Sequence, residues 1–263
     1  MINIAGKKLF RIKALVDIEE YGVKKGDLGG WIENEKNLIQ SGAAWVTDYA
    51  EVFGDAKVYG NAKVSGDACV SGSAKVYGDA CVFGSAKVYG DACVSGSAKV
   101  YGDAWVSGSA KVYGDAWVYG DAWVYGSAKV SGSAWVSGSA KAYGDAWVCG
   151  SAKVYGSAKV SGSAWVSGDA EVYGDAEVSG SAKVSGSAWV SGDADYAVIK
   201  GFGTEYRPTT FFRCRDGEAR VTCGCFYGTI DEFREQVKRT REGKVANEYL
   251  KIADLMEYHF KED

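Results

Sequence analysis

Apolar residues recur with a six-residue period through the middle of the chain. Valine occupies every sixth position from Val46 to Val190, and of these 25 positions only Ala142 is different. An alanine lies two residues before each position, and a glycine lies two residues after it everywhere except at Asp48. The unit is Ala-x-Val-x-Gly, followed in nearly every copy by Asp, Ser or Asn. An uninterrupted period of this kind predicts a repeat architecture.

Within each unit, alternate residues of an extended strand point to opposite sides, so Ala and Val face one side and the two variable residues face the other. Glycine then allows positive φ, and Asp, Ser or Asn bonds the local backbone, which turns the chain at a corner. A four-residue strand with a two-residue corner forms one wall of a prism, and three such hexapeptides complete one coil. The repeat predicts about eight coils, a stack roughly 40 Å tall at about 4.8 Å per coil.

The hexapeptide units resemble those of the left-handed β-helix superfamily, which includes trimeric acyltransferases and γ-class carbonic anhydrases. The resemblance implies a mainly β protein with a left-handed parallel β-helix over residues 44–195. The handedness is taken from the resemblance, because parallel crossover connections are otherwise right-handed.

Residues 1–43 do not follow the repeat. They contain an expected strand at Lys8–Val16, a turn-rich stretch at Gly22–Gly30, and a loop or short helix at Glu33–Gln40. An open solenoid end exposes unpaired strand edges, and repeat proteins cover such ends with caps. The sequence therefore predicts that residues 1–43 are an N-terminal cap.

Residues 196–263 are predicted to form a small α+β domain. Thr229 and Glu232 have the spacing of a capping box, which predicts a helix that ends before Gly243. A second helix is expected from Val245 to about Phe260. Three strands are also expected, at Tyr196–Lys200, Thr209–Cys214 and Glu218–Cys223, and the last two are joined as a hairpin at Arg215-Asp216-Gly217. The second helix carries an apolar stripe of Tyr249, Leu250, Ala253, Leu255, Met256 and Phe260.

The two ends of the chain carry a narrower resemblance. Segments Arg11–Leu15 (RIKAL), Val23–Glu33 (VKKGDLGGWIE) and Asn37-Leu38, followed by the repeats, are similar to uncharacterised hexapeptide-repeat proteins of bacteria, prophages and phages, often described as polymer-forming or acyltransferase-like. Residues 223–233 (CGCFYGTIDEF) resemble a small C-terminal domain of unknown function found with them. The resemblance implies a phage or prophage origin and no particular reaction.

Charge and cysteine placement narrow the range of partners and locations. The net charge is −4, and there is no basic tail or stripe, so neither nucleic acid nor a membrane is an expected partner. No signal-peptide pattern or run of transmembrane length occurs. Cys69, Cys81 and Cys93 follow one another at two-hexapeptide intervals, so they lie on different walls and cannot pair with one another. Free thiols fit a reducing, cytoplasmic location.

The enzymes that the superfamily resemblance suggests need histidines that the repeat lacks. Hexapeptide acyltransferases use a histidine as general base, and γ-class carbonic anhydrases hold zinc with three histidines. This chain has one histidine, His259, in its C-terminal domain. The sequence therefore favours a protein without catalytic activity, and it predicts no catalytic residues and no cofactor.

Cys214, Cys223, Cys225 and His259 are weak candidates for a structural zinc site, because three cysteines and a histidine form a suitable donor set. A hairpin would allow Cys214 to approach Cys223. One residue separates Cys223 from Cys225, however, where structural zinc sites commonly use two to four. Cysteines of a short domain more often serve as small apolar residues, and no metal site is predicted.

Counting in steps of three hexapeptides sorts the outward residues into three walls: wall one begins at Trp45, wall two at Glu51 and wall three at Lys57. Trp and Tyr cluster in the middle coils among lysines, and we call these outward side chains the aromatic–lysine surface. Contiguous exposed aromatics mark interaction surfaces. Three uses compete: contact with other copies or a protein partner, stacking on a small flat ligand, and ladders of Trp capped by Lys within the chain.

Wall one is the preferred surface, because Trp117 and Trp135 are expected to stack there directly beside Tyr101, Tyr119 and Tyr155. The predicted binding residues lie on walls one and two: Tyr101, Trp105, Trp117, Tyr119, Trp123, Trp135 and Tyr155.

The sequence therefore favours a non-catalytic binding or scaffold protein that uses the aromatic–lysine surface for self-association or for a protein partner. Two alternatives stay open. One is an acyltransferase-like enzyme with a site between subunits, in which His259 reaches a neighbour's prism. The other is a phage counter-defence protein that sequesters a host factor or a nucleotide signal.

Overall fold

An antiparallel sheet at the N-terminus leads into the first coil of a solenoid. The computed structural model describes residues 1–4, 6–40 and 42–261. The second N-terminal strand pairs antiparallel with the first and with the third. The N-terminal elements are β1 (Ile2–Ile4), β2 (Lys7–Lys13), a 3-10 turn (Glu19–Tyr21), β3 (Leu28–Ile32) and a second 3-10 turn (Glu35–Asn37).

Strands β4–β28 of the solenoid each contain two residues, and each pairs in parallel with the strand of a neighbouring coil on the same wall, as Lys99 does with Trp117. They form the three predicted walls. Wall one comprises Trp45–Val46, Lys63–Val64, Cys81–Val82, Lys99–Val100, Trp117–Val118, Trp135–Val136, Lys153–Val154, Glu171–Val172 and Trp189–Val190; wall two comprises Glu51–Val52, Cys69–Val70, Lys87–Val88, Trp105–Val106, Trp123–Val124, Lys141–Ala142, Lys159–Val160 and Glu177–Val178; wall three comprises Lys57–Val58, Lys75–Val76, Cys93–Val94, Lys111–Val112, Lys129–Val130, Trp147–Val148, Trp165–Val166 and Lys183–Val184.

Alternation of side chains gives the solenoid its core. From Val46 to Val190 the valines, and Ala142 in their column, are completely buried, and the alanine column is buried beside them. Backbone bonds between coils satisfy the polar groups of this dry interior; Lys63 N–H, for example, donates to Ala80 C=O at 2.9 Å, and Ser65 N–H donates to Val82 C=O at 2.9 Å. The predicted parallel solenoid is confirmed, although its regular strands are two residues long rather than four.

The N-terminal segment adds to the stack, so the solenoid has about nine coils instead of the eight counted from the repeat. Strand β3 pairs in parallel with the first strand of wall two, with Trp31 opposite Glu51. Leu38 bridges Val58 on wall three in the same direction. The sequence separation between Trp31 and Glu51 is not a multiple of six residues, and neither is that between Leu38 and Val58. A count in steps of six residues therefore does not detect these rungs.

The C-terminal segment forms a four-stranded antiparallel sheet with two helices. The predicted hairpin is confirmed, with Arg213 opposite Ala219, and Thr229 caps the first helix by accepting a bond from Glu232 N–H. The sequence did not predict the fourth strand. Leu255, which the sequence analysis placed in the apolar stripe of the second helix, is 57% exposed. The elements are β29 (Tyr196–Ile199), β30 (Thr209–Arg213), β31 (Ala219–Cys223), β32 (Phe226–Thr229), α1 (Ile230–Thr240) and α2 (Gly243–Phe260).

Strand β30 joins the C-terminal segment to the last coil. Phe212 and Cys214 are part of the solenoid core, whereas Phe211 belongs to a second core formed with α1 and α2. Lys183 N–H donates to Thr210 Oγ1 at 2.9 Å, which satisfies a backbone donor at the end of wall three. Among the described residues, neither helix combines the length and apolarity needed to cross a bilayer.

Candidate binding surface

Two columns of outward side chains run along each wall. One column precedes the valines and contains Lys, Trp, Cys and Glu, and the other follows them and contains mostly Tyr and Ser. Because each rung pairs in register with the rung of the next coil, every side chain lies directly above its counterpart in the coil below. The solenoid therefore turns a sequence period into continuous ladders of side chains.

The column before the valines of wall one holds a four-membered ladder. The rings of Trp117 and Trp135 stack with their centroids 5.5 Å apart and 13° between their planes. Lys99 Nζ lies 4.7 Å from the Trp117 centroid, and Lys153 Nζ lies 5.7 Å from the Trp135 centroid. Both outer indole faces are thus covered by ammonium groups at cation–π distance.

The column after the valines of wall one carries a parallel stack of smaller rings. Tyr101 stacks between Phe83 and Tyr119, at 4.8 Å and 4.9 Å. Tyr101 also meets Trp117 edge-on at 6.1 Å, and Tyr119 meets Trp135 edge-on at 6.3 Å. These five rings form one cluster. Burial, and then the neighbouring Tyr119, raise the pKa of Tyr101, so its hydroxyl stays neutral.

Walls two and three carry the same ladder at other heights. On wall two the two indoles are 4.8 Å apart and their capping ammoniums lie at 4.8 Å and 5.3 Å. On wall three the indoles are 4.9 Å apart and the ammoniums lie at 5.3 Å and 5.9 Å. The members are Lys87, Trp105, Trp123 and Lys141 on wall two, and Lys129, Trp147, Trp165 and Lys183 on wall three.

This arrangement fixes which part of each indole can meet another molecule. Trp135 and Trp123 each have a stacked indole on one face and a lysine ammonium over the other. Their surfaces are still 37% and 39% exposed, and we infer from the covered faces that this exposure is at the ring edges. A flat ligand that stacks on such a ring would first have to displace a neighbour. A protein surface can instead pack along the edges and the lysine stems without disturbing the ladders.

Tyr155 is on wall one but is not part of the five-ring cluster. It stacks on Tyr173 at 5.3 Å, Tyr173 stacks on Trp189 at 5.7 Å, and the Tyr155 hydroxyl donates to Glu171 Oε2 at 3.1 Å. The expectation that Tyr155 lies beside Trp135 is therefore wrong. Ser137 occupies the intervening position of this column, and its small side chain separates the two ring clusters.

Glu171 is a buried acid that sequence reasoning did not single out. Its Oε1 lies 3.1 Å from Lys153 Nζ and 2.5 Å from Arg215 Nη2. Burial pushes the pKa of Glu171 up, but the bonds from Lys153 and Tyr155 and the charge of Arg215 outweigh it, so the pKa is lowered. The repeat gives no sign of this role, because Arg215 comes from the C-terminal segment.

Small outward residues are covered by the indole of the next coil. Trp147 Nε1 donates to Ser131 Oγ at 3.0 Å, and Trp165 Nε1 donates to Cys149 Sγ at 3.0 Å.

On the earlier coils, burial raises the pKa of the Cys69 and Cys81 thiols, so their reactive thiolate forms are scarce at neutral pH.

The weak zinc candidates are not brought together. The register of β30 and β31 places Cys223 opposite Thr209, so Cys223 and Cys214 lie at opposite ends of the hairpin. The expectation that they would approach is wrong for this reason. His259 Nε2 lies 3.2 Å from Ala194 C=O. Within the described part of the chain, no three Cys, His, Asp or Glu side chains gather in a way that could hold a metal ion.

Neither a scan against protein-family models nor a search of the curated proteins gives a match for this chain. What the structure establishes about this chain is its fold. The chain is a mainly β protein with a parallel β-solenoid of about nine coils and a small C-terminal domain of one antiparallel sheet and two helices.

Proposed function

We propose that this chain is a non-catalytic binding or scaffold protein whose solenoid contacts another protein, either a second copy or a different chain, through the aromatic–lysine surface of wall one. The observation that carries the proposal is that the wall-one indoles have covered faces and exposed edges, with Trp135 still 37% exposed inside its ladder. Aromatic side chains held rigid before contact lose little entropy on binding, which favours association.

The same observation favours a protein over a flat small molecule. Stacking on a sugar or a base needs a free ring face, and the faces of Trp117 and Trp135 are occupied by each other and by Lys99 and Lys153. A partner that lies along the wall meets a row of ring edges and lysine stems. That pattern suits a broad, shallow protein interface.

Wall one is favoured over the other walls because it carries more rings. The cluster that contains Trp135 has five rings, and the cluster of Tyr155, Tyr173 and Trp189 extends it towards the C-terminal end. Wall two has one five-ring cluster, built on Trp105 and Trp123. Wall two therefore offers a matched comparison with a smaller apolar surface.

Origin and location form part of the same proposal. The hexapeptide unit and the coil-to-coil register support kinship with the left-handed β-helix proteins of bacteria and phages. The seven free cysteines support a reducing, cytoplasmic location.

The test replaces both wall-one indoles with alanine (Trp117→Ala with Trp135→Ala) and measures mass in solution by light scattering over a range of concentrations. The wild type is expected to exceed the 28.0 kDa of one chain, or to retain a specific protein on a column. The double variant is expected to lose that association, because it removes the centre of the wall-one surface.

The matched control is Trp105→Ala with Trp123→Ala on wall two. It removes an equivalent ladder and should cost similar stability, so any general unfolding effect appears in both variants. Loss of association in both variants to the same degree would contradict the role of wall one. A wild type that stays at the mass of one chain and retains no protein would contradict the proposal as a whole.

A further inference from the structure

The C-terminal domain contains a cavity of about 150 Å³, partly open to solvent, between its sheet and its helices. The inner part of the cavity is apolar, and several of its residues belong to the second core. A cavity of about this size holds a single six-membered ring. The apolar lining consists of Cys223, Phe226, Phe233, Val237 and Tyr249.

Two arginines line the same cavity. Arg207 comes from the segment before β30 and Arg241 from the end of α1. Arg241 Nη1 donates to Thr240 C=O at 3.1 Å, and Arg207 Nη2 lies 3.8 Å from Glu205 Oε2, too far for a hydrogen bond. Each guanidinium has five N–H donors and stays charged, so both keep donors for a ligand. The cavity lining carries two positive charges and one negative charge.

Glycines lie at two places beside this cavity. Gly224 and Cys225 form a two-residue turn between β31 and β32, with Cys223 paired to Phe226 and Gly224 at φ 64°. On the other side, Gly203 has φ 74°, and a Cβ there would overlap the Tyr249 hydroxyl oxygen. Glycine at this position therefore allows the close approach of the Tyr249 ring, which lines the cavity. Largely preformed, mostly apolar cavities with a few polar groups are typical ligand sites.

We propose that this cavity binds a small organic anion whose apolar body is about one ring in size, with a carboxylate or phosphate group held by Arg207 and Arg241. The apolar lining takes the ring, and the guanidiniums take the anionic oxygens in the fork geometry that suits both groups. This site is separate from wall one, so its success or failure is independent of the proposed protein contact.

The test uses two probes, benzoate for the carboxylate and phenyl phosphate for the phosphate, with benzamide as the neutral analogue of benzoate. Binding is measured on the full chain by ligand-observed NMR and by the rate at which iodoacetamide alkylates Cys225, which is exposed and lines the cavity. At least one anion is expected to slow alkylation of Cys225 about threefold or more, while Cys69 and Cys81 on the solenoid react as before.

Charge-removing variants locate the site. Arg241→Gln and Arg207→Gln remove exposed side chains, so the fold should persist, and each is expected to weaken binding of the anion about tenfold. Lys238→Gln is the matched control for loss of one positive charge, because Lys238 is in the last turn of α1, lies outside this cavity, and donates at 2.8 Å to Glu235, which does not line it either. The proposal is overturned if neither anion protects Cys225, if benzamide binds as well as the anions, or if Lys238→Gln weakens binding as much as Arg241→Gln.

Discussion

At the scale of single residues, the corners of the solenoid depend on a left-handed backbone. The corner glycines from Gly54 to Gly186 have φ between 63° and 71°, and Asp48 takes the same position at φ 58°. Aspartate is among the few side chains that visit this region, because its short polar group bonds locally. The sequence alone located these corners, since only the glycine spacing was needed.

A residue-scale prediction concerns Gly114, which has φ 70° and lies against the next corner. A Cβ at Gly114 would be 3.1 Å from Gly132 N and 3.3 Å from Gly132 O. We expect Gly114→Ala to lower the free energy of unfolding by more than the ~1–2 kcal/mol that the left-handed conformation alone costs, because the coils must also shift apart. Urea unfolding followed by circular dichroism measures the loss.

Gly180→Ala is the control for this prediction. Gly180 has φ 65°, but a Cβ there meets no atom within 4 Å, so only the conformational cost applies. We expect the smaller loss for Gly180→Ala. Equal losses in the two variants would show that the spacing between coils is not limited by these corners. Sequence could not separate the two glycines, because both occupy the same position of the repeat.

At the scale of elements, a two-residue strand has little stability of its own and depends on its neighbours in the stack. Each rung is joined to the next by backbone bonds such as Lys99 N–H to Ala116 C=O at 2.9 Å, and the ladders add contact between side chains outside the core. All three walls use Lys, Trp, Trp and Lys in that order. Sorting the sequence in steps of three hexapeptides already places these residues in columns. For this reason ladders of Trp capped by Lys were one of the three roles that the sequence analysis gave to the outward aromatics.

An element-scale prediction tests whether the indoles stabilise one another. In a double-mutant cycle with Trp117→Ala and Trp135→Ala, we expect a coupling of about 0.5–1.5 kcal/mol, the range for stacked aromatic pairs. The two rings are 5.5 Å apart. The cycle is measured from the unfolding free energies of the wild type, both single variants and the double variant.

A second cycle supplies the comparison. Trp117 and Trp147 lie on different walls and belong to different ladders, so their losses should add to within about 0.5 kcal/mol. Coupling as large for this pair as for Trp117 with Trp135 would mean that the variants disturb the whole prism. The ladder would then not be the unit of stabilisation.

At the scale of the whole molecule, the first coil of the repeat contacts the N-terminal segment and the last coil contacts the C-terminal domain. Strand β3 pairs with the first rung of wall two, and Thr210 accepts a backbone bond from Lys183 on the last rung of wall three. Glu171 adds a charged link between wall one and the C-terminal segment through Arg215. At these two rungs the backbone groups are paired with the flanking segments, which limits rung-to-rung pairing with another chain there.

A whole-molecule prediction follows from the lowered pKa of Glu171. A carboxyl whose pKa is lower in the folded state contributes stability above its ordinary value of 4.5, and this contribution is lost as the pH falls through the folded pKa. We therefore expect acid to loosen the C-terminal domain from the solenoid. Hydrogen exchange of β30 amides between about pH 6 and pH 3 measures the change.

Glu171→Gln keeps the shape of the side chain but removes its titration. In this variant the domain should be less firmly attached at neutral pH, and its attachment should depend less on pH over the same range. If wild type and variant show the same pH dependence, then another group controls the acid response.

The sequence by itself determined the solenoid, its inward Ala and Val columns and its corners, because the six-residue period acts through local alternation and glycine conformation. The C-terminal helices and hairpin were also recognisable from capping and turn residues. The β32 strand was not, since Phe226–Thr229 is short and follows a tight turn. Its pairing depends on β31, a neighbour that a local pattern does not reveal.

Only the tertiary structure decided how the outward side chains are used. It covered the faces of Trp117 and Trp135, separated Tyr155 from them, and brought Arg215 to Glu171 from a separate segment of the chain. It also formed the C-terminal cavity from segments that share no sequence pattern. The physical reason is that repeats specify contacts at fixed spacing, whereas contacts between the solenoid and other segments depend on packing in three dimensions.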